Sequence, residues 1–183
     1  LTHPFAVEAP KSPVVCENRS DTNLNDYLME LRYLPDTVLN AFNEHGWKLV
    51  IDHAYTAKMG KLYNVSCTGV TSYQERTIYV SEAGAVLHEF GHFIEGELLS
   101  FPARSQELFN AEAKDAPFRS YAKTSSSEYF ADYFAYLLTH SDGSKSMQLL
   151  KKSTPKTYEY FHSLTINGEP LLGGSHAEEV KNY

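Results

Sequence analysis

The segment His88-Glu89-Phe90-Gly91-His92 combines residue types that can hold a metal ion and activate water. On an α-helix, residues four positions apart lie on one face, so both imidazoles can bind a single zinc ion. Glu89 follows the first histidine, where its carboxylate can accept a proton from zinc-bound water, whose pKa is about 7. The spacing predicts a zinc site with His88 and His92 as ligands and Glu89 as the general base.

The sequence around this segment predicts a buried helix that follows a strand. Residues 76–80 are rich in β-branched and aromatic side chains, and Ser81 is a candidate cap for the next helix. Apolar residues recur along the segment, as in a helix at the centre of a domain. We expect this helix to run from about residue 82 to residue 99, with Phe101-Pro102 ending it.

A catalytic zinc ion takes three protein ligands and keeps one position open for water. Glu95 and Leu98 stand where the metzincin pattern requires Gly and His, so that pattern is excluded. Glu128 and Asp132 lie one turn apart on a second apolar helix, which the serines at 125–127 can cap. Taken alone, Glu128 can be explained as a negative charge that stabilises the N-terminal end of the helix dipole, and Asp132 as a charge exposed to solvent. Beside the histidine pair, Glu128 is the expected third ligand, and Asp132 is expected to accept a proton from a ligating histidine.

Three further stretches accompany the histidine motif: Ser120-Tyr121, Ser127-Glu128-Tyr129-Phe130-Ala131 and Thr154-Pro155-Lys156-Thr157-Tyr158. Together with residues 87–92, they resemble the catalytic domain of anthrax lethal factor and its relatives, which include the bacterial Pro-Pro endopeptidases. A looser resemblance reaches upstream to about residue 23, through residues 34–42 and 46–51.

The resemblance implies a fold, an activity and one more catalytic residue. In that family a tyrosine lies seven residues before the glutamate ligand, as Tyr121 does before Glu128. Tyr121 is therefore expected to direct its phenol at the oxyanion or at the leaving amine. The implied fold is a zincin-like α+β domain with a small twisted mixed sheet, an active-site helix and a mainly helical C-terminal part. The implied activity is that of a zinc-dependent endopeptidase, with one Zn²⁺ per chain and peptides or proteins as substrates.

Two alternatives stay open from the sequence. Lethal factor contains a related domain that lacks the zinc motif and binds a partner protein, so an inactive protein-binding domain is one alternative. The presence of Glu89 argues against it, because a pure binding domain does not need a general base. Another kind of zinc amide hydrolase is the second alternative.

Proline–proline cleavage is not expected from the sequence. The Pro-Pro endopeptidases carry a tryptophan and a Gly-Gly-Ser-Thr loop shortly before the active-site helix. In this chain the only tryptophan is Trp47, and Gly173-Gly174-Ser175 lies near the C-terminus.

Composition indicates one globular domain and excludes several classes of protein. A chain of 183 residues with 42% hydrophobic residues can bury one sizeable core. We divide it into an N-terminal arm (1–22), a catalytic domain (23–165) and a C-terminal tail (166–183). The net charge of −7 argues against nucleic-acid binding, and no apolar run approaches the ~20 residues of a membrane span. We expect a monomer that a bacterium secretes, either as a free protease, as part of a larger toxin, or for delivery to host cells.

Helices are predicted at 23–33, 35–44, 82–99, 128–140, 144–152 and 155–164, and strands at 47–52, 62–67, 69–72 and 76–80. Residues 103–127 are expected to form a helix and loops that carry Tyr121 toward the site. Residues 72–75 are expected to close a hairpin, and the strand near 67–72 to hold an extended peptide along its edge. Cys16 and Cys67 are the only cysteines, and the sequence fits a disulfide and two free thiols equally.

Overall fold

A mixed sheet forms the base of the fold in a computed structural model that describes residues 14–172. Its strands are β1 (Cys16–Asn18), β2 (Lys48–Ile51), β3 (Gly69–Ser72) and β4 (Thr77–Val80). The spatial order is β1-β2-β4-β3, with the first three strands parallel and β3 antiparallel to β4. The predicted strands at 47–52, 69–72 and 76–80 are confirmed, as is the turn that joins the last two.

The helices are α1 (Asn25–Leu31), α2 (Asp36–Glu44), α3 (His53–Tyr63), α4 (Val86–Phe93), α5 (Ala103–Glu112), α6 (Ser126–Thr139), α7 (Lys145–Ser153) and α8 (Pro155–Ser163). A 3-10 turn at Ala83–Ala85 leads into α4, and a π-helical turn at Ile94–Leu98 extends it. Another 3-10 turn, Ser120–Lys123, precedes α6. The six predicted helices are present, with ends that differ by a few residues from the predicted ones.

Different helices cover the two faces of the sheet, as the alternation of side chains along a strand requires. Ile78 and Val80 of β4, with Leu49 of β2, belong to the main core that also contains residues of α2, α4 and α6. Tyr79 points to the opposite face, where its ring stacks on Tyr55 of α3 with 3.8 Å between centroids. The sheet is thus buried between the helices that carry the histidine motif and a helix on its other side.

The two helices that carry the predicted metal ligands approach each other closely because of one glycine. A Cβ atom at Gly91 of α4 would lie 2.7 Å from the Cα of Ala131 in α6, which is too close for any other residue without a shift. The start of α6 is fixed by Ser125, whose hydroxyl accepts a hydrogen bond of 3.2 Å from the backbone N–H of Glu128. The helix therefore begins with Glu128 in its first turn, beside α4.

Two predictions of local structure are wrong. Residues 62–67 form no strand, and α3 ends at Tyr63, capped at its start by Asp52, which accepts a 2.9 Å hydrogen bond from Tyr55 N. The sequence gives little sign of α3 because the helix buries only Thr56 and Gly60, so no apolar period marks it. Ser81 does not cap the active-site helix: Ala85 holds the N-cap position of α4, and the hydroxyl of Ser81 donates to the backbone carbonyl of Thr68.

Short strands also occur in the predicted arm and at the start of the predicted tail. β1 lies within the predicted arm, where it pairs with β2. A small hairpin of β5 (Thr165–Ile166) and β6 (Glu169–Pro170) lies at the start of the predicted tail, and the next residue, Leu171, is fully buried. The rest of the arm (1–13) and of the tail (173–183), with Gly173-Gly174-Ser175, lies outside the described residues.

Both cysteines are free thiols. Cys16 lies on β1 and Cys67 precedes β3, which are opposite edges of the sheet. With neighbouring strands about 4.8 Å apart, three strand spacings separate these edges by about 14 Å. A disulfide requires Cα atoms within about 7 Å, so the fold excludes this pairing. Among residues 14–172 no helix combines the length and hydropathy that crossing a membrane would need.

Candidate metal centre

Two helices bring three side chains of metal-ligand type to one point. His88 and His92 lie one turn apart on α4, and their Nε2 atoms are 3.1 Å from each other. Glu128 of α6 places one carboxylate oxygen 2.8 Å from His88 Nε2 and the other 3.3 Å from His92 Nε2. One ligand atom from each residue lies within 4.8 Å of the other two. The three residues predicted as ligands are thus neighbours, although 35 residues of chain lie between His92 and Glu128.

Asp132 fixes the state of the first histidine. Its carboxylate lies 2.5 Å from His88 Nδ1, so that ring nitrogen carries the proton and donates it to Asp132. The other nitrogen, Nε2, faces Glu128 and His92, so it is the atom that can release its proton and present a lone pair when a metal ion binds. Asp132 is itself held by Arg119, whose Nε and one terminal nitrogen donate to its two oxygens at 2.9 and 3.0 Å.

The charges of the centre favour a cation. Burial raises the pKa of Glu128, but hydrogen bonds from His88 and His92 outweigh it, so the pKa lies well below its usual range. Burial lowers the pKa of His88, yet hydrogen bonds to Asp132 and Glu128 outweigh that effect and raise the pKa to about 9. The carboxylates therefore stabilise positive charge at the point where the ligand atoms meet. Two imidazoles and one carboxylate are a donor set that catalytic zinc uses, so the residues present fit this metal.

Glu89 lies beside the ligands and is almost fully buried, with 5% of its surface exposed. One carboxylate oxygen is 3.9 Å from His88 Nε2, and the other accepts a 3.0 Å hydrogen bond from the hydroxyl of Thr71 on β3. Burial raises the pKa of Glu89. The strand passes this close because residue 69 is glycine: a Cβ there would lie 2.7 Å from Cγ of Glu89. The carboxylate is therefore oriented by the sheet edge and faces the space in front of the ligands.

Tyr121 lies at the mouth of the same site, on the 3-10 turn before α6. Its ring centroid is 6.3 Å from that of His88, and 47% of the residue is exposed. Burial and the nearby carboxylate of Glu128 raise the pKa of Tyr121 to about 12. The phenol is therefore protonated near neutral pH and can donate a hydrogen bond to a group that enters the site.

The structure adds three residues that the sequence reasoning did not single out. Thr71 orients Glu89, Arg119 holds Asp132, and the hydroxyl of Tyr73 donates a 2.7 Å hydrogen bond to the backbone carbonyl of His92. No spacing rule marks them, because each acts on a predicted site residue from another element. The position of Thr71 in the predicted substrate strand was the only sequence signal for any of them.

These residues line one cleft of about 1140 Å³. Residues of β3 form one side of it, and β3 is an edge strand that pairs only with β4 among the described residues. The α3 end contributes the apolar side chains of Met59, Tyr63 and Val65. An open cleft beside a strand edge can admit an extended chain and place part of it in front of the histidine pair.

Comparisons with known proteins identify the fold and the family of this chain. A solved structure of the Pro-Pro endopeptidase from Paenibacillus alvei is similar, with a TM-score of 0.57 and 22% identity over 80% of this chain and 93% of that chain. This likeness shows the fold, which is the expected zincin-like α+β fold. No curated protein matches the chain. The model of the family described as "Anthrax toxin lethal factor, N- and C-terminal domain" matches residues 20–164. The chain belongs to this lethal factor family.

Proposed function

We propose that this protein is a zinc-dependent endopeptidase. The observation that carries the proposal is the convergence of His88, His92 and Glu128 next to the buried carboxylate of Glu89, in a cleft open enough for a peptide. Family membership and the shared fold support it.

The three ligands would hold one zinc ion, with the other nitrogen of His88 fixed by Asp132. Bound zinc supplies Lewis acidity, which polarises a carbonyl oxygen and lowers the pKa of water from 15.7 to about 7. Zinc affinity depends on the lone pairs of the two Nε2 atoms. At His88, the hydrogen bond from Nδ1 to Asp132 orients the ring so that Nε2 faces the metal position.

Each side chain of the site has a separate role in peptide-bond hydrolysis. Glu89 accepts a proton from the attacking water, whose oxygen adds to the scissile carbonyl carbon. Tyr121 donates a hydrogen bond to the negative charge that develops on the carbonyl oxygen. The C–N bond then breaks, Glu89 returns the proton to the leaving amine, and the hydroxyl stays on the new carboxyl group. Thr71 orients the Glu89 carboxylate for this step through the hydrogen bond from its hydroxyl.

The direct test is Glu89→Gln, which keeps the size of the side chain and its acceptor for Thr71 but removes the proton acceptor. Loss of general-base catalysis lowers turnover by about 10²–10⁴-fold. Zinc content measured by atomic absorption should stay near one per chain. A peptide substrate is first identified by cleavage-site profiling of the wild-type protein with a peptide library. Turnover of the variant is then measured on that peptide. Turnover equal to wild type in Glu89→Gln would remove Glu89 from the mechanism.

The inactive protein-binding domain is tested by the same experiment. If the zinc-loaded wild-type chain cleaves no peptide of the library, binding is the better reading of the cleft. A zinc amide hydrolase of another kind would instead cleave small amides and leave the library intact.

The structure supports no proposal of proline–proline specificity. Trp47, the only tryptophan, is 1% exposed and packs against Phe42 and Phe93 in the core. It is therefore not available to a peptide in the cleft.

A further inference from the structure

We propose that Arg119 is a positioning residue for two groups of the site: it holds Asp132 against His88, and it supports the ring of Tyr121. The inference rests on the proposed endopeptidase function and names a residue that neither the histidine motif nor the glutamate helix contains.

The first contact fixes the orientation of Asp132. Arg119 donates to both carboxylate oxygens, at 2.9 and 3.0 Å, in the two-pronged geometry that a guanidinium and a carboxylate share. One of these oxygens also accepts the hydrogen bond from His88 Nδ1. Rotation of the carboxylate would break all three hydrogen bonds. Arg119 therefore holds the acceptor that keeps the Nε2 lone pair of His88 toward the metal position.

The second contact concerns Tyr121. The guanidinium carbon of Arg119 lies 5.1 Å from the centroid of the Tyr121 ring, within the range of a cation–π interaction. Tyr121 is 47% exposed, and the other groups of the site near it are the ring of His88 and the carboxylate of Glu128. Arg119 is the residue immediately before the 3-10 turn Ser120–Lys123, so the same side chain bridges the start of this turn to α6.

Charge and shape make the residue type specific. Among the described residues that line the cleft, Arg119 is the only lysine or arginine. The carboxylates of Glu82, Glu89, Glu128 and Asp132 line the same cleft, and Arg119 is hydrogen-bonded to the last of them. A lysine would keep the charge but would lose the planar fork and the flat face that lies near Tyr121. A glutamine would lose the charge as well as the two-pronged donor.

The experiment compares Arg119→Gln and Arg119→Lys with a matched control, Arg104→Gln. Arg104 is an exposed residue of α5 that pairs with Glu107, and it does not line the cleft. Turnover, KM and zinc affinity by chelator competition are measured for each, with circular dichroism to verify folding. We expect Arg119→Gln to lower kcat and weaken zinc binding by ~10–100-fold, the usual effect of losing a partner of a metal-ligand shell. KM should change little, Arg119→Lys should recover part of the loss, and the control should match wild type.

Double-mutant cycles separate positioning from general structural support. In an Asp132→Asn background, Arg119→Gln should have a much smaller effect on zinc affinity, because a neutral amide already replaces the carboxylate that Arg119 holds. In a Tyr121→Phe background, the part of the kcat loss that comes from a misplaced phenol should disappear.

Two results would overturn the inference. One is that Arg119→Gln lowers kcat and zinc affinity by the same factor in both mutant backgrounds as in wild type. The other is that Arg119→Gln raises KM alone, which would make Arg119 a substrate-binding residue. If the wild-type chain cleaves no peptide, the proposed function fails, but the zinc-affinity cycle of Arg119 with Asp132 still tests the first contact. Equal zinc affinity of wild type and Arg119→Gln would then refute the proposed role of the contact between Arg119 and Asp132.

Discussion

Gly91→Ala should damage the metal site through helix packing, without changing any predicted ligand. The added Cβ would lie 2.7 Å from the Cα of Ala131 and 3.1 Å from its carbonyl oxygen. Carbon atoms pack best at about 3.5–4.0 Å, so α4 and α6 must separate by about 1 Å. No rotamer can relieve this contact because both atoms are on or next to the backbone.

The displacement has two measurable consequences. Overpacking costs about 1–3 kcal/mol, and the better helix propensity of alanine returns up to about 1 kcal/mol, so we expect a net destabilisation of about 1–2 kcal/mol. For a chain of this size, that lowers Tm by about 2–8 °C. A shift of about 1 Å between His88 and Glu128, which are 2.8 Å apart, also opens the ligand triangle. Misplacement of this size lowers turnover by about 10²-fold.

The assays are thermal unfolding of the metal-free chain, zinc affinity by chelator competition, and turnover. Gly84→Ala is the matched control, since a Cβ at Gly84 meets nothing within 4 Å and the same methyl group is added to the 3-10 turn that leads into α4. It should leave zinc affinity unchanged. Equal Tm and zinc affinity for Gly91→Ala and wild type would refute the reasoning that this glycine sets the distance between the two helices.

Three further predictions follow from the same contacts. Tyr121→Phe should lower kcat while the Tm of the zinc-loaded chain stays within about 1 °C of wild type, because the phenol acts on the substrate; unchanged kcat would exclude this role. Removal of zinc by a chelator should lower Tm by about 5–10 °C relative to zinc at 100 times its Kd, which differential scanning calorimetry measures; equal Tm values would contradict specific binding. Thiol titration of the unfolded chain without reductant should count two thiols per chain, from Cys16 and Cys67, and a count of zero would contradict their separation in the sheet.

Much of the site was predictable because its chemistry is encoded in short spacings. The interval between His88 and His92 fixes both on one helix face, and the serines before Glu128 mark the start of the second helix. The hairpin before the active-site helix was also visible, since β-branched residues flank a polar turn.

The rest could not be predicted, since it depends on contacts between distant elements. Arg119 reaches Asp132 only once the turn before α6 has formed, and Thr71 reaches Glu89 only when β3 lies over α4. The role of Gly91 likewise requires the helix crossing to be known. The sequence did not predict α3, because a largely exposed helix has no repeating pattern of apolar residues.

The central claim is that one zinc ion is bound by His88, His92 and Glu128, and anomalous diffraction at the zinc edge tests it most directly. Crystals of the zinc-loaded chain should show one anomalous peak about 2.0–2.2 Å from both Nε2 atoms and from a carboxylate oxygen of Glu128. A peak elsewhere, or a Glu128 carboxylate turned away with another side chain in its place, would contradict the account.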